Sequence, residues 1–295
     1  MKVISLNGKT GYELIDSGDM MKLESFGGVI VERPSGSAVW RRRAPELWSS
    51  PVARFIRHSS RGGQWEALSP EKIPGKWVFS AGVFQMELQM TDFGHVGVFP
   101  EQAENWDWIH HKSSSIGGDA RVLNLFAYTG ASSLAAACGG ASVCHVDASK
   151  KSVDWGRMNL GYGGQESLKI RWIVDDVRKF LRREARRGNT YHGIILDPPT
   201  FGRGSSGQLW KIEKDLVEVM EEVLAVLEPG SQSFVLLTCN TAGMTPVCLE
   251  NMVMPIVTAR GGSLSSGEML LHESEKSGLP CRNLPAGSWV RWETR

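Results

Sequence analysis

No stretch of this 295-residue chain is apolar over anything near the roughly 20 residues that cross a bilayer; the longest such runs, 193–196 and 233–238, stop far short. No spanning helix is expected. The opening MKVISLNG has neither an apolar core nor a small-residue cleavage site, so it predicts no secretory leader and a cytoplasmic location. Cysteines are few, at 138, 144, 239, 248 and 281, with no Cys-x-x-Cys pair and no histidine at ligand spacing. That excludes a disulfide framework and a structural zinc site and predicts free thiols. The adjacent His110 and His111 point apart in regular structure, and no metal is inferred. Charge of one sign is missing too: 33 basic against 32 acidic residues leave +1, so any contact with nucleic acid must be local. No internal repeat or low-complexity segment is visible. What is present is ordinary globular composition, 41% apolar and 22% charged, with enough length for about two domains.

Two textures divide the chain. The first hundred residues carry short alternating runs at 28–33, 36–41, 76–79, 84–90 and 95–99, broken by Gly, Pro and Ser, which predicts a small antiparallel sheet. From Arg121 onward strands and helices alternate: strands at 122–128, 143–147, 169–174, 193–197 and 233–239, helices at 131–138, 149–160 and 177–187, and a long amphipathic stretch at 209–227. This rhythm predicts an α/β fold, a doubly wound, mostly parallel sheet covered on both faces, behind a smaller β-rich domain. The segments 268–272 and 288–292, joined without a helix, predict a closing hairpin. The polar, small-residue segment 110–119 places the boundary, giving a β-rich domain over 1–115 with possible substrate recognition and a second domain over 116–295.

In a doubly wound sheet ligands bind beyond the carboxyl ends of the strands. The first of these strands runs into Asn124, Phe126, Tyr128, Thr129 and Gly130, where the glycine allows a tight turn and the next helix offers free N–H groups. The second ends at Asp147, seventeen residues after Gly130, where a carboxylate can accept both hydroxyls of a ribose. The third ends in Asp175 and Asp176, and one of these acids is expected to cap the following helix. The fourth ends Asp197-Pro198-Pro199, a stiff exit that cannot extend a central strand. A dinucleotide dehydrogenase would need three glycines where this turn has one.

Taken together, FAYTG, VDAS, DDV, LDPPTF and LLTCN at these spacings resemble the class I S-adenosylmethionine-dependent methyltransferases, most of all the group with the large-subunit ribosomal RNA cytosine-C5 methyltransferases. The resemblance covers the 175 residues from Arg121 onward and touches Phe99-Pro100-Glu101-Gln102. It implies a seven-stranded sheet and S-adenosyl-L-methionine as cofactor. It further implies that Asn124, Phe126, Tyr128, Thr129 and Gly130 line the methionine and ribose portion, that Asp147 holds the ribose, and that Asp176, with Asp175 as runner-up, faces adenine. Asp197 would then sit beside the sulfonium, and Gln102 would close over the pocket.

Carbon 5 of a pyrimidine is a poor nucleophile, which the resembled group answers by adding a cysteine thiolate to carbon 6. Cys239, in Thr-Cys-Asn at the fifth strand end, is the candidate nucleophile, with Asp197 as acid or base. A structural role for this cysteine is the competing reading. Methylation of an exocyclic amine, in which Pro198, Pro199 and Phe201 would hold a flipped base, is the rival chemistry; Thr200 interrupts the motif those enzymes carry. RNA, ribosomal RNA first, is the expected substrate. A small molecule, or a non-catalytic RNA-associated role, are the alternatives, and oligomeric state is not legible. Two basic stretches bear on RNA contact. Residues 33–62 carry seven arginines (33, 41, 42, 43, 54, 57 and 61) against Glu46, interleaved with Trp40, Trp48 and Phe55. Arg178, Lys179, Arg182, Arg183, Arg186 and Arg187 read as a solvated helix face. The Gly- and Ser-rich run 202–207 has the composition of a mobile loop, either a lid over the base or a plain connection.

Overall fold

In the computed structural model the described residues are 11–59, 62–203, 208–230, 232–275 and 280–294. The chain divides into two compact units, residues 1–104 with 270–286 and residues 105–269 with 287–295. Arg61 and residues 204–207, both part of the expectations above, lie outside the described residues.

The first unit is built on strands β1 (Tyr12–Gly18), β2 (Met21–Phe26), β3 (Val29–Pro34), β4 (Ala53–Ser59) and β5 (Gly62–Ala67), side by side in that order. Neighbouring strands are antiparallel except β3 and β4. A separate ribbon pairs β6 (Trp77–Ser80) with β7 (Gln85–Leu88). Two expected strands are absent. Residues 36–41 instead fold back on the β1–β2 turn through Asp19 N to Trp40 O at 2.6 Å and Met20 N to Ala38 O at 2.8 Å. Residues 95–99 make only scattered backbone bonds, from Thr91 N to His95 O and from Gln89 N to Val96 O.

Charge holds this unit together from within. Asp16, fully buried, accepts from Arg43 N, Ala44 N, Trp48 Nε1 and Arg282 Nη2. Glu273, also buried, accepts from Ser17 Oγ at 2.7 Å and from Arg282. Burial opposes the charge on Glu24, yet Arg33 and Lys22, with hydrogen bonds from Arg33 and Tyr12, outweigh it and bring its pKa down to about 2. The basic stretch expected as a nucleic-acid surface is therefore in large part an internal ion-pair lattice. Arg33 pairs with Glu24, Arg42 and Arg54 with Glu32, and Arg43 with Glu273, while Arg42 also lies 3.7 Å over the Trp48 ring. Arg41, 95% exposed, reaches Asp19 at 3.2 Å.

The second unit begins near the start of α1 (Ala103–Ile116) and alternates β8 (Arg121–Leu125), α2 (Ala131–Cys138), β9 (Ser142–Asp147), α3 (Lys150–Asn159), β10 (Ile170–Val174), α4 (Val177–Arg187) and β11 (Gly193–Leu196). A short ribbon of β12 (Phe201–Arg203) and β13 (Leu209–Lys211) follows, then α5 (Ile212–Val226), β14 (Phe234–Cys239), α6 (Pro246–Arg260), β15 (Ser263–His272) and β16 (Asn283–Glu293). The seven-stranded sheet has the order β10-β9-β8-β11-β14-β16-β15. Pairs from β10 to β14 are parallel, and β16 runs antiparallel to β14. The expected α/β sheet is thus present. The segment 270–286, the far end of β15 and the near end of β16, belongs to the first unit.

Local sequence explains the helices. Ser149, Asp176 and Thr245 cap α3, α4 and α6 by accepting the N–H groups of Ser152, Lys179 and Cys248. The apolar face of α4, Val177, Phe180 and Leu181, joins Leu216, Val219 and Val223 of α5 in the core over one face of the sheet. Its basic face is solvated as expected, with Lys179, Arg182, Arg186 and Arg187 exposed, and it also carries ion pairs from Arg178 to Asp215, Arg182 to Glu222 and Glu218, and Arg183 to Asp175. Among the described residues no helix is long and apolar enough to cross a membrane.

Candidate functional site

Strand order reverses between β8 and β11, the point beyond whose strand ends ligands bind in doubly wound sheets. The first strand stops at Leu125 because Phe126 and Tyr128 turn left-handed, with φ of 56° and 49°. Such conformations cost on the order of 1–3 kcal/mol for a side-chain-bearing residue, so the surroundings must hold them. They do. Ala127 N donates to Val146 O at 3.1 Å, Gly130 N to Ala127 O at 3.0 Å, and the buried Asn159 donates from Nδ2 to Thr129 O at 3.0 Å. Gly130 itself has φ of 93°, and a Cβ there would stand 3.3 Å from the Trp172 ring. Gly156 of α3 lets the same ring and Thr129 approach, since a Cβ would meet them at 2.6 and 3.2 Å.

Asp147 ends β9 directly against this turn. Its two carboxylate oxygens accept separately, Oδ2 from Tyr128 N at 2.9 Å and Oδ1 from Ser149 N at 2.8 Å. A carboxylate has about four acceptor positions, so two stay open for a ligand. Burial raises its pKa, against the lowering effect of the Ser149 and Tyr128 amides. Asp175 N donates to Asp147 O at 3.1 Å, which sets the third strand tip beside the second. There the two acids divide their roles. Asp176 caps α4 through Lys179 N at 3.1 Å, while Asp175 pairs with Arg183 at 2.8 Å and accepts from Asp176 N.

Beneath the turn lies a buried polar chain on one face of the sheet. Asn124 Nδ2 donates to Ser133 Oγ at 2.9 Å, and Ser133 Oγ lies 3.0 Å from His145 Nδ1. Burial pushes the His145 pKa down to about 3, with the Tyr128 main chain opposing. Asn124 is therefore engaged with Ser133 under α2, and its amide supports the turn from below.

The fourth strand tip carries Asp197, whose Oδ1 accepts from Thr238 Oγ1 at 2.8 Å. Successive side chains of a strand face opposite ways. Thr238 thus shares Asp197's side of the sheet. Cys239 points to the other, into the apolar cluster with Leu237, Leu249 and Val253. Its thiol is fully buried, accepts from Thr241 N at 3.3 Å, and has its pKa raised by burial. Pro199 O accepts from Trp210 Nε1 at 2.6 Å, and Trp210 in turn packs 4.8 Å from the Phe126 ring. Phe201 opens β12 and is 54% exposed. Gln102 belongs to the first unit, where it is buried at the end of the turn Pro100–Gln102.

The turn 126–130, Asp147, Asp175, Asp176, Asp197 and the Pro-Pro corner therefore belong to one edge of the sheet, while Cys239 and Asn124 face into the core on opposite sides of it. The supporting side chains Ser133, His145, Asn159, Trp172, Trp210 and Thr238 are not singled out by the sequence. Only contacts between distant positions identify them.

The description S-adenosylmethionine-dependent methyltransferase belongs to a family model that matches residues 47–256. The ribosomal RNA large subunit methyltransferase K/L of Pseudomonas aeruginosa is 33% identical over 170 residues, 57% of this chain and 22% of that protein. The ribosomal RNA large subunit methyltransferase I of Klebsiella pneumoniae is 35% identical over 127 residues, 43% of this chain and 31% of that protein. The chain thus spans less than a third of the length of these curated relatives. A crystal structure of a SAM-dependent methyltransferase from Agrobacterium tumefaciens is similar over 98% of this chain and 92% of its own, at 36% identity and a TM-score of 0.91.

Proposed function

The chain belongs to the S-adenosylmethionine-dependent methyltransferase family, and from that membership we propose that it methylates a base of RNA, ribosomal RNA being the substrate in its curated relatives' names. One observation carries the site assignment: Asp147, clasped by two backbone amides under a strained, glycine-ended turn, keeps its outward lone pairs at the tip of β9, against the turn that follows β8. A ribose diol fits that acceptor pair, and the close Gly130 backbone fits an adenosyl ligand. In this reading Phe126, Tyr128, Thr129 and Gly130 hold the methionine and ribose portion, and Asp175 and Asp176 face adenine. Asn124 supports that turn from beneath through Ser133, and Asp197 stands at the reacting end. The cofactor supplies an electrophilic methyl carbon. Residues 1–115 are assigned substrate recognition and residues 116–295 catalysis.

For the target atom the first reading is carbon 5 of a pyrimidine. With the cofactor bound, Cys239 would add as thiolate to carbon 6, the electron pair so placed on carbon 5 would take the methyl group as its bond to sulfur breaks and S-adenosylhomocysteine is released, and Asp197 would take the carbon 5 proton as the ring double bond re-forms and the thiolate leaves. This requires Cys239 to turn out of its apolar cluster and lose its proton when the base binds. A second reading, methylation of an exocyclic amine, is favoured by the exposed Phe201 beside Pro198 and Pro199, an aromatic face on which a base can stack. Labelled-methyl transfer into ribosomal RNA, compared with a metabolite extract, tests the substrate class. A covalent adduct with 5-fluoropyrimidine RNA that disappears in Cys239→Ala supports carbon 5. Full activity in that variant, with unchanged S-adenosylhomocysteine affinity, removes the thiolate mechanism and leaves the amine.

A further inference from the structure

One buried side chain touches both halves of the candidate site without belonging to either. Trp210 is 7% exposed. Its ring packs 4.8 Å from Phe126, tilted by 55°, and Phe126 is one of the two left-handed residues that shape the cofactor turn. Its indole N–H donates to Pro199 O at 2.6 Å, which fixes the peptide leading from the Pro-Pro corner into Thr200 and Phe201. The backbone adds a third tie. Trp210 stands opposite Gly202 in the β12–β13 ribbon, one residue along from the exposed Phe201. A displacement of Phe126 by a ligand on the turn is thereby passed through one rigid indole to the corner where the target base is placed.

We infer that Trp210 is a positioning residue that couples the cofactor turn to the Pro-Pro corner, so that cofactor and RNA bind with positive cooperativity through it. This rests on the corner being the target-base site. Coupling between two ligands is reciprocal, and a factor of roughly 5 lies at the lower end of its usual range. Trp210→Phe keeps an aromatic ring against Phe126 and removes the N–H donor together with the second ring of the indole. Trp210→Leu removes the ring stacking as well.

The test measures S-adenosylhomocysteine affinity by calorimetry with and without ribosomal RNA, for the wild type and both variants. In the wild type, RNA is expected to tighten the ligand about fivefold. In Trp210→Phe that factor falls to about one while affinity without RNA stays within threefold, and Trp210→Leu loses affinity in both conditions. A coupling factor in Trp210→Phe equal to wild type overturns the inference. The second arm needs no RNA. Among the indole N–H resonances of the 11 tryptophans, the one missing in Trp210→Phe is expected to exchange slowly with solvent and to shift on addition of S-adenosylhomocysteine. A resonance that the ligand leaves unmoved overturns the inference as well. Should the wild type bind the ligand but no RNA, the RNA reading fails and this second arm decides the role of Trp210 alone.

Discussion

Replacing Asp147 by Asn probes the cofactor site with the smallest change of shape. The carboxylate divides its oxygens between Tyr128 N and Ser149 N at 2.9 and 2.8 Å. An amide has one oxygen, so it can accept from one of these donors while its NH2 faces the other. That mismatch loosens the turn 126–130, which is already held in left-handed backbone. The remaining acceptor positions also lose their negative charge. A hydrogen bond to a charged acceptor is worth about 1.5–3 kcal/mol against about 0.5–1.5 for a neutral pair, so two ribose bonds weakened by about 1 kcal/mol each give a ligand about 30-fold weaker. Asp147→Ala removes both bonds and is expected to weaken it further. Calorimetry with S-adenosylhomocysteine reads this directly, with the thermal midpoint as a control on folding. Because burial raises the Asp147 pKa, wild-type affinity should begin to fall, as the solution is acidified, at a pH above that of an ordinary aspartate. Asp147→Asn binding within threefold of wild type, with a matching acid profile, would refute the ribose assignment.

Other perturbations test the scaffold and the site. Gly130→Ala places a Cβ 3.3 Å from Trp172 at φ of 93°, and cofactor affinity should drop tenfold or more, by about 1.4 kcal/mol, in the same titration. His145 is held neutral with a pKa of about 3, so the stability it contributes is complete above about pH 6.5 and declines as the pH falls towards 3. Urea unfolding of wild type and His145→Asn should therefore differ in slope by up to about 1.4 kcal/mol per pH unit in that window; parallel curves would remove the buried neutral imidazole from the account. Asp16→Ala leaves Arg282 without one of its two buried acid partners and should destabilise the first unit by about 3–5 kcal/mol, read as a lowered denaturant midpoint.

The sheet was legible in the sequence because each parallel strand is a short apolar run ended by a residue that cannot continue it, and those ends are also the functional positions. Asp147 and the Pro-Pro corner could be found on that logic alone. Left-handed Phe126 and Tyr128 could not, since nothing in their identity announces a conformation that only surrounding contacts enforce, and the strand was read three residues too long. Helix α6 is absent from the expected elements, and it carries two prolines, Pro246 and Pro255. The first in fact sits at the helix start, and Leu249, Val253 and Ile256 still line one buried face. The arginines of residues 33–62 misled for the opposite reason. Their carboxylate partners Glu24, Glu32 and Glu273 lie outside the window in which the charge was counted.

The late segment 270–286 bears on how the protein is made. Asp16 waits for Arg282, 266 positions away, and Ser17 for Glu273, 256 positions away. Asp16 and Ser17 cannot meet these partners until the intervening chain has been synthesised, so the sheet first forms without them. The β-rich unit cannot be freed by one cut in the polypeptide, and grafting it onto another enzyme would demand a circular rearrangement that carries residues 270–286 along.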